Sequence, residues 1–582
     1  MSTVDVDQII KPDDLACEIV NRYTSWKKNR SNREEQWVEL RNYLYATDTT
    51  TTTNKNNDWH NTTTTPKLRQ IADNLQANYM GHLFPNEDWF RWEGDSQDDD
   101  STDTKRNITN YIKTKTKRTD FIPVIEDCLE DWHSRYGECF ATVIWEDQVT
   151  DVGAYKTTAY RGPRVVRISP YDIVYNPTAT SWEKTPKIVR SMLSLGEVKR
   201  LIEQQPDKQF YQDVFDKMLL SRREAKTHGE IRKADAYVAD GFSTLHEYYE
   251  SGNVEILTFF GDLYHTDTGE FYENQEIVVA DRAYVIKNSP VASWLGTSPI
   301  VKSNWRNRPD NLHGMSALEN LVGLQYRLDA LENSKADVWD QIAFPVRVHK
   351  GYVEDYEWYP GCEITVGDDG SVDYLVPDAT ALQADLMIDV LERRMEEMAG
   401  APRTSMGIRT PGEKTAFEVQ TLDNSGNRLF ENKAAYFERT FIEKILNMFL
   451  DASVRNMRDV ETIREYDKDT QTTLFSDIKK EDIVANGKLM PIGARYSKER
   501  ATRLQNLAQI SQQKQIDPTI APHLSGKLHA QILATELGEE KLYGENIAVE
   551  EQKNTQTAVT DAQVEFEAEQ EELAGIPLQD EQ

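Results

Sequence analysis

The chain has 582 residues, 38% of them hydrophobic and 10% aromatic, and a formal net charge of −31. Its length exceeds what a single hydrophobic core supports and predicts a multi-part body, and apolar positions spread along the whole chain exclude wholesale disorder. A surface this acidic repels phosphate at long range, which argues against a protein that grips nucleic acid through a basic face, although DNA could pass by it without sticking.

Four cysteines, Cys17, Cys128, Cys139 and Cys362, lie too far apart for a compact zinc motif and are too sparse for a disulfide scaffold, so they read as reduced, buried thiols of a cytosolic product. The N-terminal MSTVDVDQIIKPDD has early acids and no apolar core. No run of about 18 apolar residues occurs, so export and membrane insertion are not expected.

Leu15, Ile19, Tyr23, Trp26, Trp37, Leu40 and Leu44 recur at helical spacing from Asp13 to Tyr45, with Pro12 near the start, and predict one or two amphipathic helices. Residues 47–65, rich in Thr and Asn, cannot bury enough apolar surface to order themselves and read as a mobile loop. Pro66 opens a helix through Leu83, followed by an apolar patch of Phe84, Trp89, Phe90 and Trp92 expected to pack on a neighbouring element. The acidic run Asp95 to Asp103 reads as a solvated loop. Ile108 to Tyr136 is again helical, restarting at Pro123, with Ile122, Ile125, Leu129 and Trp132 inward and Gly137 ending it. Short β-branched and aromatic runs between Cys139 and Tyr175 predict strands. Helices at Leu195–Gln204 and Phe210–Ala236 come next, followed by the strand-like TLHEYYE, VEILTFFGDLYH, EIVVA and AYVI.

The second half reads differently. From Gly314 to Phe344 Leu318, Leu321, Leu324, Leu328, Leu331, Val338 and Ile342 recur near heptad spacing and predict one long helix stopped by Pro345. A compact insert of short strands and tight turns, marked by Pro360-Gly361 and Asp369-Gly370, precedes a second helix over Ala379–Ala399. A loop, GAPRTSMGIRTPGEK, leads into a third long helix from Thr415 to Met457, with Phe430, Ala434, Phe437, Phe441, Ile445 and Met448 on one face. A mixed segment reaches Pro491. Helices are expected at Ser497–Gln513 and Leu524–Leu537, and the tail from Glu550 to Gln582 is acidic with Lys553 its only base.

Candidate chemistry is sparse. Gly407 to Thr415 comes within one residue of a phosphate-binding G-x-x-x-x-G-K-[ST] loop. The extra Glu413 would place a carboxylate where phosphate should sit, and a helix rather than a buried strand precedes it. The histidines form no H-x-x-x-H or H-x-x-E-H group, no G-x-S-x-G elbow exists, and Cys139 has no motif around it. No catalytic residue, metal ligand or cofactor is therefore assigned. Asp98, Asp99 and Asp100 read as a solvated loop rather than a cation site. Arg403, Arg409 and Lys414 lie in a loop with Gly400, Pro402, Gly407, Pro411 and Gly412 between two long helices. They are either incidental surface charge or a basic tip aimed at phosphates. Tyr352, Tyr356, Trp358 and Tyr359 in the insert either form the core of a small module or serve as interface anchors.

This order of helix, insert, helix, loop and helix resembles the portal, or head-to-tail connector, proteins of tailed bacteriophages, particularly those of short-tailed phages. HGMSALENLVGLQYRLDALENSKADVWDQIAFP looks like the family's first stem helix, PVRVHKG through YLVPD like its clip, and ALQADLMIDVLERRMEEMAG like its second stem helix. GAPRTSMGIRTPGEKTA looks like its tunnel loop, and FEVQTLDNSGNRLFENKAAYFERTFIEKILNMFLDA like its long wing helix. SPYDIVYNPTATSWEKTPKIVRSMLSLGEVKRLIEQ, with Asp172 and Pro177, is similar to a wing segment, and DIKKEDIVANGKLMPIGARYSKERATRLQNL also fits.

The resemblance implies a predominantly helical α+β portal fold. The wing would comprise 1–312, 416–457 and 458–496, the stem helices 313–344 and 379–399, the clip 345–378, the tunnel loop 400–415 and the crown 497–582. It further implies a closed ring of twelve copies at one capsid vertex, held by heterologous side-to-side contacts, through which double-stranded DNA is packaged and ejected. Its partners would be other copies of itself, the major capsid protein, the packaging ATPase (terminase) and later a tail adaptor. Localisation would be the virion, and the host cytoplasm during assembly. Arg403, Arg409 and Lys414 would touch DNA in the channel, and Tyr352, Tyr356, Trp358 and Tyr359 would serve docking at the clip. Two rival readings are a P-loop packaging ATPase and a channel-less capsid scaffold.

Overall fold

The computed structural model describes residues 14–45, 61, 63–86, 89–96, 99, 101–152, 155–204, 212–225, 252–266, 268–291, 298–355, 364–375, 383–400, 430–458, 460–466, 473–493 and 507. The chain divides into two compact units, 1–463 with 476–494 and 464–475 with 495–582. Apart from strand ends 464–466 and 473–475 and Leu507, the described residues belong to the first.

Helix α1, Asp14–Tyr45, is a single helix whose Ile19, Tyr23, Trp37, Leu40 and Leu44 are buried, while Leu15 and Trp26 are half-buried. Helix α2, Lys67–Leu83, begins directly after Pro66, where the missing N–H of proline costs nothing. The aromatic patch after it is a strand: β1, Phe90–Gly94, pairs antiparallel with β16, Gly487–Pro491, in register Phe90↔Pro491 to Gly94↔Gly487. Trp89, Phe90 and Trp92 are buried in the main core, and the strand pairs segments some four hundred residues apart, which no local pattern could announce.

The acidic run ends earlier than expected. Ser101 caps α3, Thr102–Arg118, by accepting from the Thr104 N–H at 3.2 Å, a contact worth about 1 kcal/mol. The following helix restarts at Phe121 rather than Pro123, because Asp120 takes a left-handed conformation (φ 50°). α4, Phe121–Glu130, buries Ile125 and Leu129, but Ile122 is 40% exposed and not inward as expected. A π-turn, Asp131–Arg135, carries buried Trp132, and Gly137 (φ 79°) stops the helix. A Cβ on Gly137 would lie 2.2 Å from the Ser316 nitrogen, so only glycine fits this crossing.

Long strands β2, Glu138–Val152, and β3, Tyr155–Ile168, pair antiparallel, and β9, Ile300–Asn304, completes a three-stranded sheet in the order β3-β2-β9. A five-stranded antiparallel sheet follows in order β4-β5-β6-β7-β8, built from Ile173–Tyr175, Lys187–Ser194, Asn253–Tyr264, Phe271–Ala280 and Tyr284–Pro290. Both its faces are covered. Leu257 and Phe259 on β6 meet Ile19 and Tyr23 of α1, whereas Val254 and Ile256, on the opposite side of the pleat, meet Val198 of α5 (Leu195–Gln204) and Met218 of α6 (Gln212–Ala225). Double coverage is why these strands read as continuous apolar runs.

Strands β10, Arg306–Arg308, and β11, Asn311–Met315, form a small hairpin, so the first long helix of the second half does not begin at Gly314. After a 3-10 turn at Glu319–Leu321 it runs as α7, Val322–Ala343. Strands β12, Val346–Lys350, and β13, Ser371–Leu375, pair antiparallel. α8, Asp385–Ala399, ends at left-handed Gly400. Residues 430–437 are helical and continue through a π-turn, Glu438–Ile442, into α9, Glu443–Asn456. Phe430, Ala434, Phe437, Phe441 and Ile445 lie fully in the main core with α2, α4 and Trp132, while Met448 packs against it half-buried. Strands β14, Val460–Tyr466, and β15, Thr473–Lys479, and a short helix, α10, Lys480–Ile483, complete the described chain before β16. The architecture is thus mixed helix and sheet. Cys128 and Cys139 are buried free thiols and Cys17 is only half-buried; Cys362 lies outside the described residues. Among the described residues no helix is long and apolar enough to cross a membrane.

Candidate functional site

The helix–hairpin–helix arm, α7, β12-β13 and α8, has a buried base and an exposed outer part. At the base, Leu318, Leu321 and Leu328 of the first limb and Met395 and Ala399 of α8 join the main core. Farther along, the heptad positions Leu331, Val338 and Ile342 are only half-buried, and Trp339 is 54%, Phe344 74%, Val346 60%, Leu375 64% and Leu386 81% exposed. Large apolar side chains on both helices and both strands therefore remain exposed in the single chain. Acids outnumber Lys and Arg between Val322 and Gly400. The ion pairs there, Lys335–Asp385, Lys350–Asp373 and Arg393–Asp389, are largely solvated and contribute little to stability.

Tyr352 lies at the far end of the hairpin and is 74% exposed, with its carbonyl accepting from the Gly367 N–H at 3.1 Å. Tyr356, Trp358 and Tyr359, like Arg403, Arg409 and Lys414 and residues 46–60 of the Thr-rich segment, lie outside the described residues. So do the helices expected after Ser497, apart from Leu507, and the near-miss phosphate loop.

The groups that seat the arm were not singled out in the sequence. Arg33 of α1 grips Glu319 with both terminal nitrogens, at 2.6 and 2.8 Å, and donates to the Gly314 carbonyl at 2.8 Å; Arg308 adds a third contact to Glu319 at 2.8 Å. Behind this clamp sits a buried network. Glu138 at the start of β2 lies 2.9 Å from the Lys302 Nζ, 2.9 Å from the Tyr175 hydroxyl and 3.0 Å from His313 Nδ1, and accepts from the Gly314 N–H at 3.3 Å. Burial alone would raise the Glu138 carboxyl, but Lys302 and His313 beside it hold it well below the usual range. Burial pulls Lys302 down, opposed by Glu138. Lys302 also lies over the rings of Tyr175, at 4.4 Å, and Trp182, at 5.1 Å. A signal was present in principle, since Glu138 and Lys302 are charges embedded in apolar strand patterns. Their pairing needed the β2-β9 register, which sets Glu138 opposite Asn304 and Phe140 opposite Lys302.

A polar pocket of about 480 Å³ adjoins the network, lined by Trp182, Lys302, Asn304, Asn307, Tyr436 and Thr440 among others. Its cations are neutralised by Glu138, by Glu319 on Arg308 and by Glu183 on Lys444. Among the described residues no group of three or more His, Cys, Asp or Glu is placed to hold a metal ion. What this arrangement offers is an arm anchored at its base by a buried charge network, with apolar side chains exposed on its outer part. No protein family's sequence profile matches this chain, and no curated protein matches it significantly.

Proposed function

We propose that this protein is a portal subunit: copies close into a ring at one capsid vertex, and double-stranded DNA passes through the ring during packaging and ejection. The observation that carries the reading is the arm, two helices joined by a β-hairpin, seated on a mixed body through its base and presenting apolar side chains on its outer part. Exposed apolar side chains on α7 and just after it (Trp339, Phe344) and on α8 (Leu386, Met387, Val390) suit a head-to-tail contact, in which one copy's α8 meets the next copy's α7 and rotation closes the ring. An acidic channel wall keeps a duplex centred and mobile rather than bound. In this reading the hairpin end docks the packaging ATPase and later a tail adaptor, the rim of the ring meets the major capsid protein, Arg403, Arg409 and Lys414 contact DNA transiently, and the chain hydrolyses nothing.

The rival ATPase reading needs a buried strand before Gly407, and the last described element before it is α8, a helix. A channel-less scaffold shares the acidity and the exposed apolar side chains, and is separated from a portal by the shape of the assembly. Negative-stain electron microscopy of the purified protein, with a nucleotide-hydrolysis assay on the same sample, tests the proposal. Rings with a central hole and no hydrolysis support it; monomers that hydrolyse ATP overturn it. In the ring-forming protein, changing Arg403, Arg409 and Lys414 together to Ala is expected to leave rings intact and impair DNA packaging. Loss of rings would assign those residues a structural role instead.

A further inference from the structure

One face of α7 carries Gln325, Asp329, Asn333 and Asp337, each four residues after the last, and the first three are buried although none is apolar. Their partners are main-chain groups of the segment before α2. Gln325 Nε2 donates to the Thr65 carbonyl at 2.7 Å, and Asp329 Oδ1 accepts from the Thr65 N–H at 3.0 Å. Asn333 meets Thr63 with both halves of its amide, accepting from its N–H and donating to its carbonyl, each at 2.9 Å. Asp337 accepts from the Asn61 N–H at 2.7 Å. Four helical residues advance about 6.0 Å, and two extended residues about 6.6 Å. The near match lets an extended chain place every second residue against successive rungs. Residues 61, 63 and 65 do so in the direction opposite to α7.

We propose that this face of α7 is a rail for extended polypeptide that reads main chain rather than side chain, and that its occupant is the chain's own strap of Asn61, Thr63 and Thr65. Two observations beyond the ladder favour it. The Thr63 side chain points to solvent although both its main-chain groups are engaged. Asp329 Oδ2 and Gln325 Oε1 are buried acceptors without a partner, so the rail holds acceptor capacity beyond what the strap uses. A main-chain reader explains how Asn61, Thr63 and Thr65, none of them apolar, are held in place. It also gives the strap a task, because the next residues turn into α2, where Lys67 reaches Glu396 of α8 at 2.7 Å in a buried pair. The strap and Lys67 together tie both arm helices to α2. The inference concerns the chain alone and does not depend on ring formation.

The test contrasts two changes at one position. Thr63→Val keeps the N–H and the extended conformation; Thr63→Pro also suits an extended chain but deletes the N–H. Hydrogen exchange followed by mass spectrometry is expected to show unchanged protection of α7 and of residues 61–65 in Thr63→Val, and exchange about tenfold faster across both in Thr63→Pro, the size expected for one lost hydrogen bond. Equal behaviour of the two variants, whether both silent or both loosened, overturns the proposal. Should Thr63→Pro fail to fold, Asn333→Ala removes the same pair of bonds from the helix side. Loosening of residues 61–65 in Asn333→Ala supports the rail, and unchanged protection there refutes it.

Discussion

Lys302→Met tests the claim that a buried charge network seats the arm. The side chain of Lys302 is 4% and that of Glu138 1% exposed, so removing the ammonium leaves a carboxylate in the interior with only Tyr175, His313 and the Gly314 N–H to solvate it. Breaking a buried pair from one side costs about 3–5 kcal/mol, whereas replacing both partners by neutral groups of similar size is far less damaging. Lys302→Met is therefore expected to cost about 4 kcal/mol, and the double variant Glu138→Gln with Lys302→Met about half of that. With the Glu138→Gln single variant, the double variant's cost minus the sum of the two single costs measures the coupling. Urea unfolding followed by tryptophan fluorescence reads both. Because the folded Glu138 carboxyl is held below its ordinary value, its contribution is present above the ordinary Glu range and fades as pH falls through the folded value. The single variant should lose that acid sensitivity as well. A cost for the single variant under about 1 kcal/mol, or a double variant equal to the sum of the two singles, would refute the reasoning.

Trp339→Glu on α7 or Leu386→Asp on α8 is expected to leave the isolated chain's stability within about 0.5 kcal/mol, since both sites are exposed, while abolishing self-assembly in size-exclusion chromatography with light scattering. Assembly unchanged in both would remove the arm from the interface. Burial, opposed by the bonds from Thr65 and Gln325, raises the Asp329 carboxyl to about 6. The folded chain thus holds a proton that the unfolded chain has lost, and stability falls as pH rises from about 4 through about 6. Asp329→Asn, which keeps an acceptor and cannot ionise, should flatten the unfolding midpoint across that window; an unchanged slope would remove Asp329 as its source. Gly137→Ala should destabilise by more than about 1 kcal/mol in thermal unfolding, because it combines a left-handed backbone with a Cβ 2.2 Å from the Ser316 nitrogen. A neutral effect would mean that the π-turn and β11 can separate.

Local chemistry made much of the fold legible. The apolar spacing of Ile19, Tyr23, Trp37 and Leu40 predicts α1 almost to its ends, and Leu195–Gln204 is the helix expected there, because repeats of 3.6 record which face is buried. Pro66, Gly137 and Pro345 mark boundaries for reasons that lie in their own backbones. Where two segments distant in sequence meet, that information ends. Gly314 and Met315 read as the start of a helix, yet pairing with Arg306–Arg308 draws them into a hairpin. The patch of Trp89, Phe90 and Trp92 becomes a strand only because Gly487–Pro491 lies beside it. Gln325, Asp329 and Asn333 interrupt the near-heptad apolar pattern of α7, and what they serve is visible only with the main chain of Thr63 and Thr65 in place. The sequence by itself determined the helices whose apolar face repeats, such as α1 and Leu195–Gln204, and that the chain is acidic, because these depend on neighbours along the chain. The tertiary structure alone decided which charges are buried together, which apolar side chains of the arm remain exposed, and which polar face is occupied, because each depends on what long-range pairing brings within about 4 Å.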